Sequence, residues 1–499
     1  MISNQLSGKK CISVKKGNPF IQCFSILAFL FALFVILISG TVHAYDGQAA
    51  NTTPAELLSA YVQIPSVSGE EEEAGEFFSR VCRDHGLHVH VFTDEPDSYN
   101  FAASLYPLDQ RKPNIVFLTH IDVVPPGEPE GWTYPPFSGK IADGKVWGRG
   151  AIDNKAMGVM QFFAIKQFVE LAASEDLPYN ISMLAVSGEE TGGDKGARII
   201  ASQYLEELNP VAVYGEGGAG LGGLVRADPE KIVFGVEVIQ KRRMFLEITS
   251  QATTSGHGSI PRSHYSSKDV VKATSALLES KPKVFIAPIV RDALQVIAEY
   301  EQGILKRVMQ RIHFYGPILS PLIRRDPLIS SMLTNTITLT HVKTSEGAYN
   351  QIPTRTRAVF DCRLLPGTSE DDFLDQVKTI VMPYKVDVNV LQSSPESPVS
   401  PQGEYYKAME ESIMHVFNEA VVVPFMFVAI NDNRFFRRQG VPSYGLLPAI
   451  MSEELMESIH YFDERFPIDE LDKGIEVYAR LIKNLLELEE PITGNTEDN

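Results

Sequence analysis

The amino-acid sequence predicts an α/β fold: a mostly parallel sheet with helices on both faces, into which a smaller α+β domain is inserted. Three observations carry this expectation. First, short apolar runs at 115–119, 181–186 and 211–214 alternate with helical patterns at 154–171 and 195–208, the rhythm of strands buried on both faces. Second, the character changes after Lys241, where 244–249, 335–342 and 355–364 alternate like two-sided strands and 267–279 and 369–382 read as helices. Third, Ser, Pro and Gln crowd 393–403 like a linker, after which helix and strand patterns resume to Glu487.

Upstream, 51–87 reads as helical, with Glu70 to Glu73 as a solvated face. Residues 281–332 form a Pro-rich, helical insert without an evident place. The expected organisation is 1–44 as a signal peptide, 45–240 and 393–490 as two parts of one domain, 241–392 as the insertion, and 491–499 as a frayed tail.

Composition bounds the function. The chain has 499 residues, 45 Lys+Arg against 63 Asp+Glu, and a formal net charge of −18. That acidic balance argues against a nucleic-acid partner, since no cation surplus remains to neutralise phosphates. Four cysteines exclude a disulfide scaffold; beyond the predicted signal peptide only Cys82 and Cys362 remain, able to pair but read more plainly as two free buried thiols. Lys9, Lys10, Lys15 and Lys16 precede an apolar run from Phe24 to Ile38 and the small-residue pattern Val42-His43-Ala44. This is the pattern of a secretory signal peptide cut after Ala44, with an uncleaved N-terminal anchor as the alternative. Either places the remainder outside the cytoplasm, secreted or periplasmic, and leaves the anchor as the only membrane contact expected.

The chemistry clusters at strand ends, where ligands sit in open parallel sheets. His120 and Asp122 follow the run at 115–119. Asp153 opens a helix after Trp147-Gly148-Arg149-Gly150-Ala151-Ile152. Glu189 and Glu190 follow 181–186, Glu216 follows 211–214, and His460 lies in Ile459-His460-Tyr461-Phe462-Asp463-Glu464-Arg465. Each has a bland reading: a surface loop pair, a helix cap, a solvated turn. Together they offer two His and three carboxylates with two carboxylates spare. That set suits two divalent ions sharing one carboxylate, Zn2+ by its mixed N/O donors, with Co2+ or Mn2+ as alternatives.

Taken in order, Thr119-His120-Ile121-Asp122-Val123-Val124-Pro125, Trp147 to Lys155 and Ser187-Gly188-Glu189-Glu190 resemble the dinuclear zinc exopeptidase family of aminoacylase-1, carboxypeptidase G and succinyl-diaminopimelate desuccinylase. The insert before Asn335 is most similar to the branch holding carboxypeptidase S and the N-fatty-acyl-amino-acid synthase/hydrolases. The resemblance implies that Asp153 bridges two metals, that His120 and Glu216 complete one site, and that Glu190 and His460 complete the other. It implies that Asp122 orients His120, that Glu189 is the general base, and that the Asp153–Asn154 bond is cis. The inserted domain becomes a lid: Gly256-His257-Gly258-Ser259-Ile260-Pro261, Asn350 and Arg363 match its substrate positions, with His257 reaching into a partner subunit. For Arg363 an ordinary ion pair on a strand is the equal alternative. Tyr461, Gly258 and Asn431 depart from the family pattern, touching substrate preference and no metal ligand. The implied activity is hydrolysis of the amide next to a C-terminal amino acid, in a peptide or, alternatively, an N-acyl amino acid. A metal-free binding or scaffold protein retaining the fold is the competing class.

Overall fold

The computed structural model describes residues 52–92, 98–252, 256–260, 262–325 and 327–487. The predicted signal peptide and the 491–499 tail lie outside these. Eight strands form the main sheet: β1 (His88–Phe92), β2 (Asn100–Ser104), β3 (Asn114–His120), β4 (Asn180–Val186), β5 (Pro210–Leu221), β6 (Val233–Gln240), β7 (Val421–Phe427) and β8 (Ser443–Ile450). Their order is β1-β2-β4-β3-β5-β8-β6-β7. β3 runs parallel to β4 and β5, β5 to β8, and β6 to β7.

Every residue of β3 and β4 is buried. Helices cover both faces, which is why these strands are predominantly apolar, with the buried Ser182 hydroxyl donating to Asn114 at 2.9 Å. Phe117 meets Tyr478 of the Ile468–Leu485 helix, ring centroids 5.3 Å apart. Val116 and Leu118 point the other way, into a core with Ile200 and Phe436.

Three details differ from the sequence reading. The 51–87 segment is two helices, Pro54–Val62 and Glu72–Asp84. Pro65 disfavours helix at the residue before it, and Ser66 instead donates its hydroxyl to the Ile121 carbonyl at 2.8 Å. β5 continues past Tyr214 to Leu221, so Glu216 lies within a strand, at an irregularity in its pairing with β8. The antiparallel strands β1, at the edge, and β2, beside it, have no distinct signal in the sequence.

The second sheet is antiparallel, ordered Thr336–Thr344, Arg355–Leu364, Arg242–Gln251, Asp387–Ser393. The Ser266–Leu278 and Glu370–Val381 helices pack on one face around Leu246, Ile248, Phe360 and Phe373. The unplaced insert is four helices: Pro288–Tyr300, Gly303–Gln310, Ile312–Ile323 and Pro327–Leu333. The first of them packs on the main sheet, with Ile297 against Val421 and Val423 of β7 and Val233 of β6. A helix from within the predicted insertion thus belongs to the core of the first sheet. Among the described residues no helix is long and apolar enough to cross a membrane.

Candidate metal centre

Five segments deliver donors to one point. β3 ends on His120, and the loop after β4 carries Glu189 and Glu190. Glu216 comes from β5, Asp153 from the helical turn Ala151–Ala156, and His460 from the loop after the Glu453–Ser458 helix. The two distant chain segments meet in a small sheet, where Trp147 pairs with Arg465. The Asp153–Asn154 bond is cis, as expected. His460 sits at φ 61°, a backbone region that non-glycine residues rarely adopt.

Asp153 lies at the centre. Its Oδ1 is 3.0 Å from His120 Nε2 and its Oδ2 is 3.1 Å from His460 Nε2. His120 Nε2 is also 3.4 Å from Glu216 Oε2, and His460 Nε2 is 3.1 Å from Glu190 Oε1. Two donor groups result, His120–Asp153–Glu216 and Asp153–Glu190–His460, and each could hold a metal ion. The electrostatics fit cations there. Asp153 and then Glu190 hold the His460 imidazole up to about 10. Burial works to lower the His120 value, but Asp122, Asp153 and Glu216 together outweigh it and raise it well above normal. Burial pushes Glu190 up to about 7. Burial, then the Glu216 charge, raises Glu189 well above the usual carboxylate range. Carboxylates packed this closely call for positive charge, which two divalent ions would supply.

The surroundings hold each donor. Asn154 donates to Glu216 Oε2 at 2.9 Å and accepts from the Thr119 hydroxyl at 2.6 Å. Asn431 and Asn433 both donate to the Glu216 carbonyl at 2.9 Å. Asp122 contacts both His120 and the loop after β4. His120 Nδ1 meets the Asp122 backbone carbonyl at 2.9 Å, whereas the carboxylate stands 3.5 Å away. That carboxylate accepts from the Glu189 and Glu190 backbone N–H groups at 3.0 and 3.1 Å and from the Ser68 hydroxyl at 2.7 Å. It therefore fixes the loop carrying both acids as well as neighbouring the imidazole.

Sequence reasoning overlooked several residues. Glu464, fully buried, binds the Arg149 guanidinium. It also accepts from the backbone N–H groups of Gly150, Ile152 and Asp153 at 3.0, 2.8 and 3.1 Å. Glu71, expected in solvent, is only 2% exposed, and burial raises its pKa, with Asp122 adding to the rise. Asp432, by contrast, falls in Asn431-Asp432-Asn433-Arg434, a segment whose sequence already resembles a cleft-lining motif; it is buried with no hydrogen-bond partner on either oxygen among the described residues, and burial lifts it to about 7. Gly193 makes room for it: at φ +73°, a Cβ there would lie 2.1 Å from Asp432 Oδ1. His120, Glu189, Glu216 and Asp432 line a common cleft of roughly 190 Å³.

A separate two-stranded sheet, Gly256–His257 paired with Gln351–Ile352, brings His257 and the adjoining Asn350 together, Nε2 to Nδ2 at 3.2 Å. Both are solvent-exposed. Arg363 forks onto Asp361 through Nε and Nη2 at 2.8 and 2.9 Å, while its Nη1 is buried with no partner among the described residues. So the ion-pair reading holds for one edge of the guanidinium. Directly across the ladder stands Arg243. Like charges in that position repel, and Arg243 has its Nε buried without a partner. Arg243, Lys241, Arg434 and Arg438 line a second cleft of roughly 230 Å³. Arg434 donates to the Gly192 carbonyl at 2.7 Å, so these cations abut the loop of Glu189 and Glu190.

A mostly parallel α/β sheet presenting paired His–carboxylate groups that share one Asp defines a metal-dependent amide hydrolase. The chain belongs to peptidase family M20/M25/M40, whose model matches residues 116–484. It is 26% identical over 453 residues to the N-fatty-acyl-amino acid synthase/hydrolase PM20D1 of Mus musculus, covering 88% of each chain. It is 26% identical over 399 residues to the probable carboxypeptidase S-like 2 of Dictyostelium discoideum, covering 78% of this chain and 74% of that one. Among solved structures, the M20 family metallo-carboxypeptidase Sso-CP2 of Sulfolobus solfataricus matches with a TM-score of 0.65 at 17% identity, covering 88% of this chain and all of that one. Human carnosine dipeptidase 1 matches at 0.62 and 16% identity, covering 87% and 96%.

Proposed function

We propose that the chain is a dizinc hydrolase that cleaves the amide bond before a C-terminal amino acid in peptides. The observation that carries this reading is the sharing of Asp153 between two His–carboxylate groups, with Glu189 beside them. His120, Asp153 and Glu216 would hold one ion, and Asp153, Glu190 and His460 the other; Co2+ or Mn2+ could replace Zn2+. When bound, such ions polarise the scissile carbonyl and acidify water. Glu189, its proton affinity raised by burial, takes a proton from the attacking water and returns it to the leaving nitrogen. Asp122 positions Glu189 through its backbone N–H. His257 and Asn350 meet the substrate carbonyl. Arg363, with Arg243 facing it, takes the substrate carboxylate, for which an arginine fork suits the geometry. Export to the periplasm or exterior fits the N-terminal residues, and a His257 exchanged between subunits would make a homodimer.

A second substrate class, N-fatty-acyl amino acids, is favoured by the relatives bearing that activity in their names at 26% identity across 88% of both chains. One assay separates the two: chromatographic scoring of dipeptide, N-acetyl and N-oleoyl amino acids at one zinc concentration. Dipeptide turnover with an inert N-oleoyl substrate supports the first reading, the reverse supports the second, and no turnover of any refutes both. Chelation should abolish activity, and zinc should restore it at two ions per chain. A gently purified chain holding less than one ion would instead indicate a scaffold. Arg243→Gln should raise KM about tenfold or more with kcat little changed, as expected for a lost charge-assisted contact to a carboxylate. An unchanged KM would remove Arg243 from substrate binding.

A further inference from the structure

The Ile312–Ile323 helix carries an apolar row that the fold leaves in solvent. Phe314 is 73% exposed, Ile318 73% and Leu322 61%, and their i, i+4, i+8 spacing puts them along one face. Ile304 of the Gly303–Gln310 helix adds another apolar side chain, 80% exposed. The opposite side is anchored: Ile312 and Ile323 are buried, and Gly316 packs on Ile286. Single exposed apolar residues are ordinary, but a row on one helix marks a contact surface.

Charge identifies what the surface meets. Residues 303–325 contain Lys306, Arg307, Arg311, Arg324 and Arg325 and no Asp or Glu, in a chain with 63 acids against 45 bases. Lys306 leans on Glu299, and Arg324 donates to the Pro282 carbonyl. Arg307, Arg311 and Arg325 are exposed, with no carboxylate partner among the described residues. A symmetric contact with a second copy would press these three arginines onto three, so self-association through this face is disfavoured. An apolar stripe flanked by Lys and Arg is the pattern of a helix lying in the headgroup plane of an anionic bilayer.

We propose that the 303–325 helices form a membrane-surface docking face that seats Phe314, Ile318 and Leu322 among the acyl chains of anionic lipids. The inference is independent of the hydrolase reading. The chain contains two tryptophans, so Phe314→Trp adds a local reporter, with the unsubstituted full chain as background. Vesicles of phosphatidylcholine, with or without phosphatidylglycerol and with brominated acyl chains as quencher, are the probe. The added emission should be lost with phosphatidylglycerol vesicles and retained with phosphatidylcholine alone. High salt, or the triple substitution Arg307→Gln, Arg311→Gln, Arg325→Gln, should restore it. Emission unchanged by anionic vesicles overturns the proposal, even if the chain floats with them through another segment. So does a dimer in sedimentation that Phe314→Asp dissociates. Ile318→Trp repeats the measurement should the first variant not fold.

Discussion

Glu464→Ala should destabilise the chain by about 3–5 kcal/mol, the range for removing one partner of a buried ion pair. Arg149, 1% exposed, would keep its charge without its carboxylate. The N–H groups of Gly150, Ile152 and Asp153 would lose their acceptor as well, and buried unpaired donors carry their own cost. Urea unfolding at neutral pH measures the loss. A cycle with Arg149→Leu should show strong coupling, because removing both charges spares the orphaned guanidinium. Since Glu464 holds the turn that presents Asp153, zinc occupancy should fall too. A variant with unchanged midpoint and full metal content would refute this positioning role.

Glu189→Gln should lower kcat by about 10²–10⁴-fold, the usual worth of a general base, while two metal ions stay bound. The amide keeps the shape and the backbone N–H that meets Asp122 at 3.0 Å, and removes only the capacity to take a proton. Neither donor group includes Glu189, so metal content should not move. Turnover and metal content measured on one preparation decide the matter. Unchanged kcat would reassign the base, and lost metal would make Glu189 a ligand.

The sequence announces the sheet through its burial. β3 and β4 are enclosed on both faces, and such strands are mostly apolar in their interior. The donors were legible because each stands beside a strand end or helix start in a recognisable motif. Glu464 was not, because Asp463-Glu464-Arg465 looks like any charged turn; its burial is created by Arg149, 315 residues away. Glu71 hid for the same reason within a run of acids. Arg243 gains meaning only from the register that sets it opposite Arg363. The docking of Ile297 on β7 follows an apolar stripe that does not say which sheet it will meet.

His460 approaches Asp153 across 307 positions of chain. During synthesis the second ion therefore has no complete seat until the ribosome has passed that histidine and the late segment has docked. For most of its translation the chain lacks one of the two complete donor groups.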